Sequence, residues 1–266
     1  MHANPTRSLA ISLLDRRWFT FVVELVLIIV GILAALTIDG WVTERENRAS
    51  ESVYLQSIAR DLGQFESELK AQIEFEDGII RTGRSAYDML GQATPRARPA
   101  ELGAKLTHLF DRRTVFLQSA AYTDIVSTGN LELIRDRALR DRLINYFASM
   151  DRSELVIEKN NSFFVDGDYG DFVVKAGLSP YPSGAWADAP PFLAGATEIF
   201  ERFLGAQIGM PDDDVLFDES SSLDTKYFRR AVLWRTYNAT FTRSKAEDML
   251  AATVALRETL EEQLGQ

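Results

Sequence analysis

Between Trp18 and Ile38 the chain runs for 21 residues with one charge, Glu24. As an α-helix that stretch is about 30 Å long, the thickness of a hydrocarbon core. If Glu24 marked the membrane boundary, only Leu25 to Ile38 would remain, 14 residues or about 21 Å, too short to cross. A spanning helix therefore carries Glu24 inside it. Trp18 and Trp41 stand at its two ends, where interfacial anchors belong. A cleavable export signal competes, because arginines, an apolar run and small residues follow in that order. However, "GILAALT" is a poor cleavage site, and the run after "RRWF" is too apolar for a twin-arginine signal. The spanning reading divides the chain into a tail (1–17), a membrane helix (18–41) and an extramembrane region (42–266).

Arg7, Arg16 and Arg17 precede the span, whereas Arg45 and Arg48 follow it among Glu44, Glu46 and Glu51. That bias places the N-terminus in the cytoplasm and the larger region on the far side. Residues 1–41 are charge-neutral, so the remaining 225 residues carry the whole net charge of −10. Such acidity argues against nucleic acid and against docking of this region onto anionic lipid. Cysteine is absent, which removes disulfides and thiolate chemistry together.

At 100° per residue, Thr20, Glu24, Gly31 and Ala35 fall on one stripe of the membrane helix, opposite bulky Val22, Ile29 and Leu33. A carboxylate beside a small-xxx-small pair is the composition of a helix–helix contact. Two alternatives stay open. Glu24 lies two turns from the interface, where it can be protonated or reach toward Arg17, and a proton relay would need further acids.

Two stretches carry a resemblance. "VVELVLIIVGILAALTIDGWVTEREN" (22–47) and "AAYTDIVSTGNLELIRDRALRDRLINYF" (120–147) resemble the two signatures of a bacterial family of uncharacterised single-pass membrane proteins. The first signature is a glutamate-led apolar run ending in tryptophan. The second is an aromatic helix, a Ser-x-Gly-Asn turn and a run ending in aromatics. The resemblance implies a bacterial membrane-anchored helical protein of unknown function, and it supplies no catalytic residue or cofactor. Together with the arginine bias it puts the larger region in the periplasm, above the inner membrane, of a Gram-negative source. Asp39-Gly40 stands where that pattern has a pair of amides.

Beyond Trp41, Leu55, Ile58, Leu62, Phe65, Leu69 and Ile73 form a helical seam of the coiled-coil kind. It predicts one unbroken helix from the membrane to about Leu90, ended by "GQATPRARP". Short helices are expected near 99–111 and 115–127. Gly129 suits a left-handed helix end and Asn130 a new start. From Leu131 a long helix is expected, its charges from Arg135 to Arg142 read as a solvated face. Residues 178–222 look irregular, with a short helix in "FLAGATEIFERFLG". Ser221 and Asp224 would open a last helix of about 60 Å as a capping box. Its expected seam is Tyr227, Ala231, Trp234, Asn238 and Phe241, then Leu256, Leu260 and Leu264. Helical spacing reads these and most other aromatics, Phe163 and Phe164 among them, as core. The expected fold is all-α: a transmembrane helix continuing into an elongated bundle, with 42–90 and the last helix antiparallel.

Chemistry is sparse. The two histidines are His2 and His108, and GxSxG, HExxH and GxxxxGK[ST] do not occur. "DGDYGD" offers Asp166, Asp168 and Asp171, but it lacks the order of a Ca²⁺ loop and reads more simply as a turn. Asp212, Asp213 and Asp214 could hold a cation or a basic partner, or stand solvated. These features point to a non-catalytic interaction protein, a scaffold or accessory subunit. It would be held in the lipid bilayer and associate with another membrane protein or a second copy of itself. An extracytoplasmic small-ligand sensor is the alternative; with a 17-residue tail it would act through a partner. An enzyme with an unfamiliar carboxylate site comes third.

Overall fold

The computed structural model describes residues 6–92, 100–176, 178 and 225–265, with side chains on the first helix described at 18 and from 21 onward. The fold is all-α. Helix α1 (Thr6–Gln92) is unbroken over 87 residues, about 130 Å. Its apolar side chains from Phe21 to Trp41 are all exposed, and by length and composition this part is able to cross a membrane. Past that stretch α1 becomes one arm of a bundle. Helix α2 (Ala100–His108), an extended strap (111–119) and α3 (Ala120–Ser127) run back along it. A 3₁₀ turn (Asn130–Leu133) reverses the chain into α4 (Arg137–Asn160), which continues through a π-helical segment (Asn161–Tyr169) into α5 (Gly170–Lys175). Helix α6 (Thr225–Leu264) returns down the whole length of the bundle.

The α1–α6 pair is antiparallel. Arg229 lies over the Tyr87 ring, Arg243 bonds Asp77 at 2.6 Å and Arg257 bonds Glu66 at 2.5 Å, one number rising as the other falls. Along α1 a buried stripe steps by three and four through Leu55, Ile58, Leu62, Phe65, Leu69, Gln72, Glu76, Ile79, Gly83, Ala86 and Leu90, with Glu66 buried beside it. On α6 the same repeat runs Phe228, Val232, Arg235, Ala239, Thr242, Ala246, Met249, Thr253, Leu256 and Leu260. This corrects the upper part of the expected α6 seam: Trp234 and Phe241 face outward, with Trp234 half exposed, whereas Asn238 is buried as expected. The true stripe has the expected period displaced by one residue. It contains an arginine and two threonines, which a search for apolar residues passes over.

At Gly83 the two helices approach closely. A Cβ there would fall 2.1 Å from Thr236 Oγ1 and 3.2 Å from Thr236 Cβ, and Thr236 Oγ1 is held by Val232 O at 2.7 Å. Gly83→Ala therefore forces the helices apart, at a cost of about 1–3 kcal/mol. Thermal unfolding of the full chain in detergent should show a lower midpoint, with most of the loss recovered in Gly83→Ala/Thr236→Ala. An unchanged midpoint for the single variant would refute this packing.

Two other expectations need correction. Residues 115–119 are extended and not helical, because Val115, Leu117 and Ser119 are buried while Phe116 and Gln118 face out, an alternation of period two. Ser119 instead caps α3, accepting from Tyr122 N at 3.1 Å and donating to Asp61 at 2.7 Å. The long fourth helix starts at Arg137, not Leu131. Its cap is Asp136, which accepts from Ala138 N and Leu139 N, and Asn130 lies in the 3₁₀ turn. Gly129 does take the left-handed conformation, φ 73°. The proposed cap at Ser221 and Asp224 and the helix in "FLAGATEIFERFLG" lie outside the described residues.

From Ile157 the buried positions recur four apart: Ile157, Asn161, Val165, Tyr169 and Val173. In an α-helix that stripe would rotate by about 160° from end to end. Wider π turns over Asn161–Tyr169 keep it facing the bundle.

Candidate functional site

Two apolar cores fill the bundle. One gathers Leu55–Leu69 of α1 with α3, α4 and the lower part of α6, and includes Tyr122 stacked on Phe147 at 3.8 Å. The other gathers Ile79–Leu90 with α2, Tyr169, α5 and the upper part of α6. Between them the buried face turns polar. On α1 it is Gln72 and Glu76, on α6 Arg235, Asn238 and Thr242, and on the π segment Asn161; all are 2% exposed or less. The antiparallel register fixed by Arg243–Asp77 sets Glu76 beside Thr242 across the helix pair.

Arg235 joins this layer to the end of α2. Its Nε donates to Leu109 O at 2.7 Å and Nη2 to Asp111 O at 2.8 Å, so a cation ties down the turn that leads from α2 into the strap. Burial lowers the guanidinium's pKa from its ordinary value, and the charge of Glu76 opposes that shift. Burial likewise raises the Glu76 carboxyl to about 7, with Arg235 and a hydrogen bond from Gln72 Nε2 at 2.8 Å partly restraining it. Asn238 Nδ2 donates to Asn161 Oδ1 at 3.2 Å, and Asn161 Nδ2 to Arg113 O at 3.5 Å. Tyr169 donates to Leu106 O at 2.8 Å, and burial pushes its hydroxyl well up, so it stays neutral. After these bonds, Gln72 Oε1, Glu76 Oε2, Arg235 Nη1, Asn238 Oδ1 and Thr242 Oγ1 are buried with no hydrogen-bond partner among the described residues.

Sequence reading missed this layer apart from Asn238, which its α6 seam places inward. The signal was Gln72 and Glu76, which continue the 3-4 spacing of Leu55 to Leu69, where hydropathy had chosen the half-buried Ile73 instead. Beside the layer, α5, α6 and the π segment border a surface cleft of about 230 Å³ whose walls include Phe164, Asp168, Asp171, Arg230 and Trp234. Phe164 stacks on Trp234 at 5.9 Å. Contrary to the expected core role, Phe163 is 62% exposed.

"DGDYGD" is helical and not a turn, as its residues belong to the π segment and α5. Asp166 pairs with Arg112 at 3.1 Å, whereas Asp168 and Asp171 both border the cleft, Asp171 paired with Lys175 one turn on. Among the described residues no cluster of histidine and acidic side chains is arranged to hold a metal ion. Asp212, Asp213 and Asp214 lie outside the described residues, as does the Thr20 side chain. Glu24 and Ala35 are exposed on α1, and nothing lies within 4 Å of a Cβ built on Gly31. Trp18 and Trp41 are exposed at 65% and 64%.

The charges of 135–142 were expected to form a solvated face, but Arg135 has a structural task. It pairs with Glu44 at 2.6 Å, and its backbone N–H donates to Glu51 at 2.9 Å. The link between the 3₁₀ turn and α4 is thus tied to α1 at Glu44 and Glu51. Compared with family models, curated proteins and solved structures, the chain gives no match.

Proposed function

We propose that this chain is a non-catalytic interaction protein anchored in a membrane by residues 18–41, a scaffold or accessory subunit whose helical region (42–266) stands on the far side. One observation carries the reading. The exposed apolar surface of α1 from Phe21 to Trp41 has no protein against it among the described residues, and the bundle begins only at Glu44. Lipid covers most of that surface at no hydration cost. The stripe of Thr20, Glu24, Gly31 and Ala35 faces another helix, in a second copy or a different membrane protein, because small residues there allow close approach. Above the membrane, α1 and α6 pair in the manner of a coiled coil, a stiff spacer holding the distal end off the bilayer. The arginine bias sets the N-terminus in the cytoplasm and the bundle in the periplasm of a bacterial inner membrane. The resemblance of 22–47 and 120–147 to single-pass bacterial proteins supports this placement.

Affinity purification from membranes in a mild detergent tests the association. The wild type should retain one membrane protein, or a second tagged copy, in near-stoichiometric amount. Glu24→Leu and Gly31→Leu should each reduce that recovery about tenfold. Recovery unchanged by both substitutions would sink the helix-contact reading. The cleft walled by Trp234, Asp168 and Arg230 favours a second reading, a small-ligand sensor acting through a partner. Saturable binding of a small molecule, abolished by Trp234→Ala, would select it.

A further inference from the structure

We propose that the polar layer between the two cores is a binding site for a small cluster of ordered water molecules, which link Glu76 of α1 to Arg235, Asn238 and Thr242 of α6. The site's own chemistry selects the ligand. Four of the five unpartnered atoms are oxygens (Gln72 Oε1, Glu76 Oε2, Asn238 Oδ1 and Thr242 Oγ1) and one is a guanidinium nitrogen, Arg235 Nη1. Three of those oxygens ask for a donor: the amide oxygens of Gln72 and Asn238, which cannot donate, and the Glu76 oxygen whenever the acid is ionised. The guanidinium asks for an acceptor. An anion suits Arg235 and meets Glu76. A metal ion suits the oxygens and meets Arg235. A neutral molecule that both donates and accepts satisfies every member, and water does so in the least volume.

The alternative is that these groups stay unpaired. Leaving several buried polar groups orphaned is costly, and native interiors rarely do so. Direct pairing is limited because the other polar atoms already have partners. Gln72 Nε2 is committed to Glu76, Asn238 Nδ2 to Asn161, and Arg235 Nε and Nη2 to the carbonyls at the end of α2. The π segment supplies the local geometry. Asn161 at its first position reaches both Asn238 and Arg113 O, which sets the layer's third wall. A hydrated layer gives the buried carboxyl a route for proton exchange that does not require the bundle to open.

Two measurements on the full chain in detergent test this. A crystal structure at a resolution that shows solvent should place about two or three waters within hydrogen-bond distance of these five atoms. Infrared spectroscopy at pH 6 should show a protonated-carboxyl band that Glu76→Gln removes, and the band should shift within seconds of transfer to D₂O. The proposal is overturned if the five atoms pair directly with one another, or if density with short cation–oxygen contacts or an organic ligand fills the layer. A Glu76 band that shifts only at the rate of global unfolding also overturns it.

Discussion

Arg235→Met should destabilise the full chain by about 3–5 kcal/mol, the usual consequence of removing one member of a buried charged set. The side chain is 1% exposed and ties three elements together. It donates to Leu109 O and Asp111 O in the turn just past α2, and its charge acts on Glu76 of α1. Methionine keeps the volume and loses all of this, so two carbonyls and a carboxylate stay buried without a cation. For a helical region of this size the midpoint of thermal unfolding should fall by roughly 10 °C. The paired variant Glu76→Leu/Arg235→Met should be more stable than Arg235→Met alone, because it no longer strands the acid. The penalty of the single variant should also grow between pH 5 and pH 8 as Glu76 ionises. A loss under about 1 kcal/mol at pH 8, comparable to a surface substitution, would mean that Arg235 is not the keystone of the layer.

Why sequence reading found the arms of the bundle and missed this centre follows from what hydropathy detects. Leu55, Ile58, Leu62, Phe65 and Leu69 are apolar, evenly spaced and buried, so the first half of the α1 seam was legible. So were the unbroken run of α1, the antiparallel α6, its lower seam at Leu256 and Leu260, and the left-handed Gly129. Past Leu69 the periodic position holds Gln72 and the next holds Glu76. A rule that rewards apolar residues steps aside to Ile73 and loses the register. On α6 the same rule is drawn to Trp234 and Phe241 and away from Arg235 and Thr242. Burial there is decided by neighbouring elements: Gly83 admits Thr236, and the Leu109 and Asp111 carbonyls just past α2 accept from Arg235. Neither fact is local to α6. The strap failed for a different reason. Val115 and Leu117 alternate over too few residues to outweigh helical neighbours, and the π segment can be inferred only once its four-residue stripe is known to be buried throughout. On the apolar part of α1 the composition of the Glu24 stripe is legible, and no protein lies against it among the described residues.

Glu76 should make the bundle lose stability as pH rises from about 4.5 to about 7. Its ordinary pKa is 4.5 and burial raises it to about 7 in the folded chain. Across that window the folded state keeps a proton that the unfolded state has released. Stability therefore falls as pH rises, the opposite of a salt-bridged carboxylate. The full difference is about 3 kcal/mol, developed by about pH 7 and flat above it. Few groups oppose this sign. Arg235 from α6 already moderates the shift, and Gln72 lies on the acid's own helix. Tyr169 from the π segment stays neutral, and the Asp111 carboxylate on the strap is exposed and acts on Arg235. Glu154, which accepts from Leu117 N, is also raised by burial and adds a slope of the same sign, so the wild-type curve alone does not isolate Glu76. Comparison with Glu76→Gln does. Urea unfolding of both full chains in detergent between pH 5 and 8.5 should give curves that converge at low pH and separate as pH rises, with the glutamine variant the flatter. Parallel curves would mean that Glu76 titrates alike in both states, its charge fully met by Arg235 and the layer acting as a plain buried ion pair. Diverging curves would make it a proton-binding layer between two apolar cores, one that loosens the joint between them when the proton leaves.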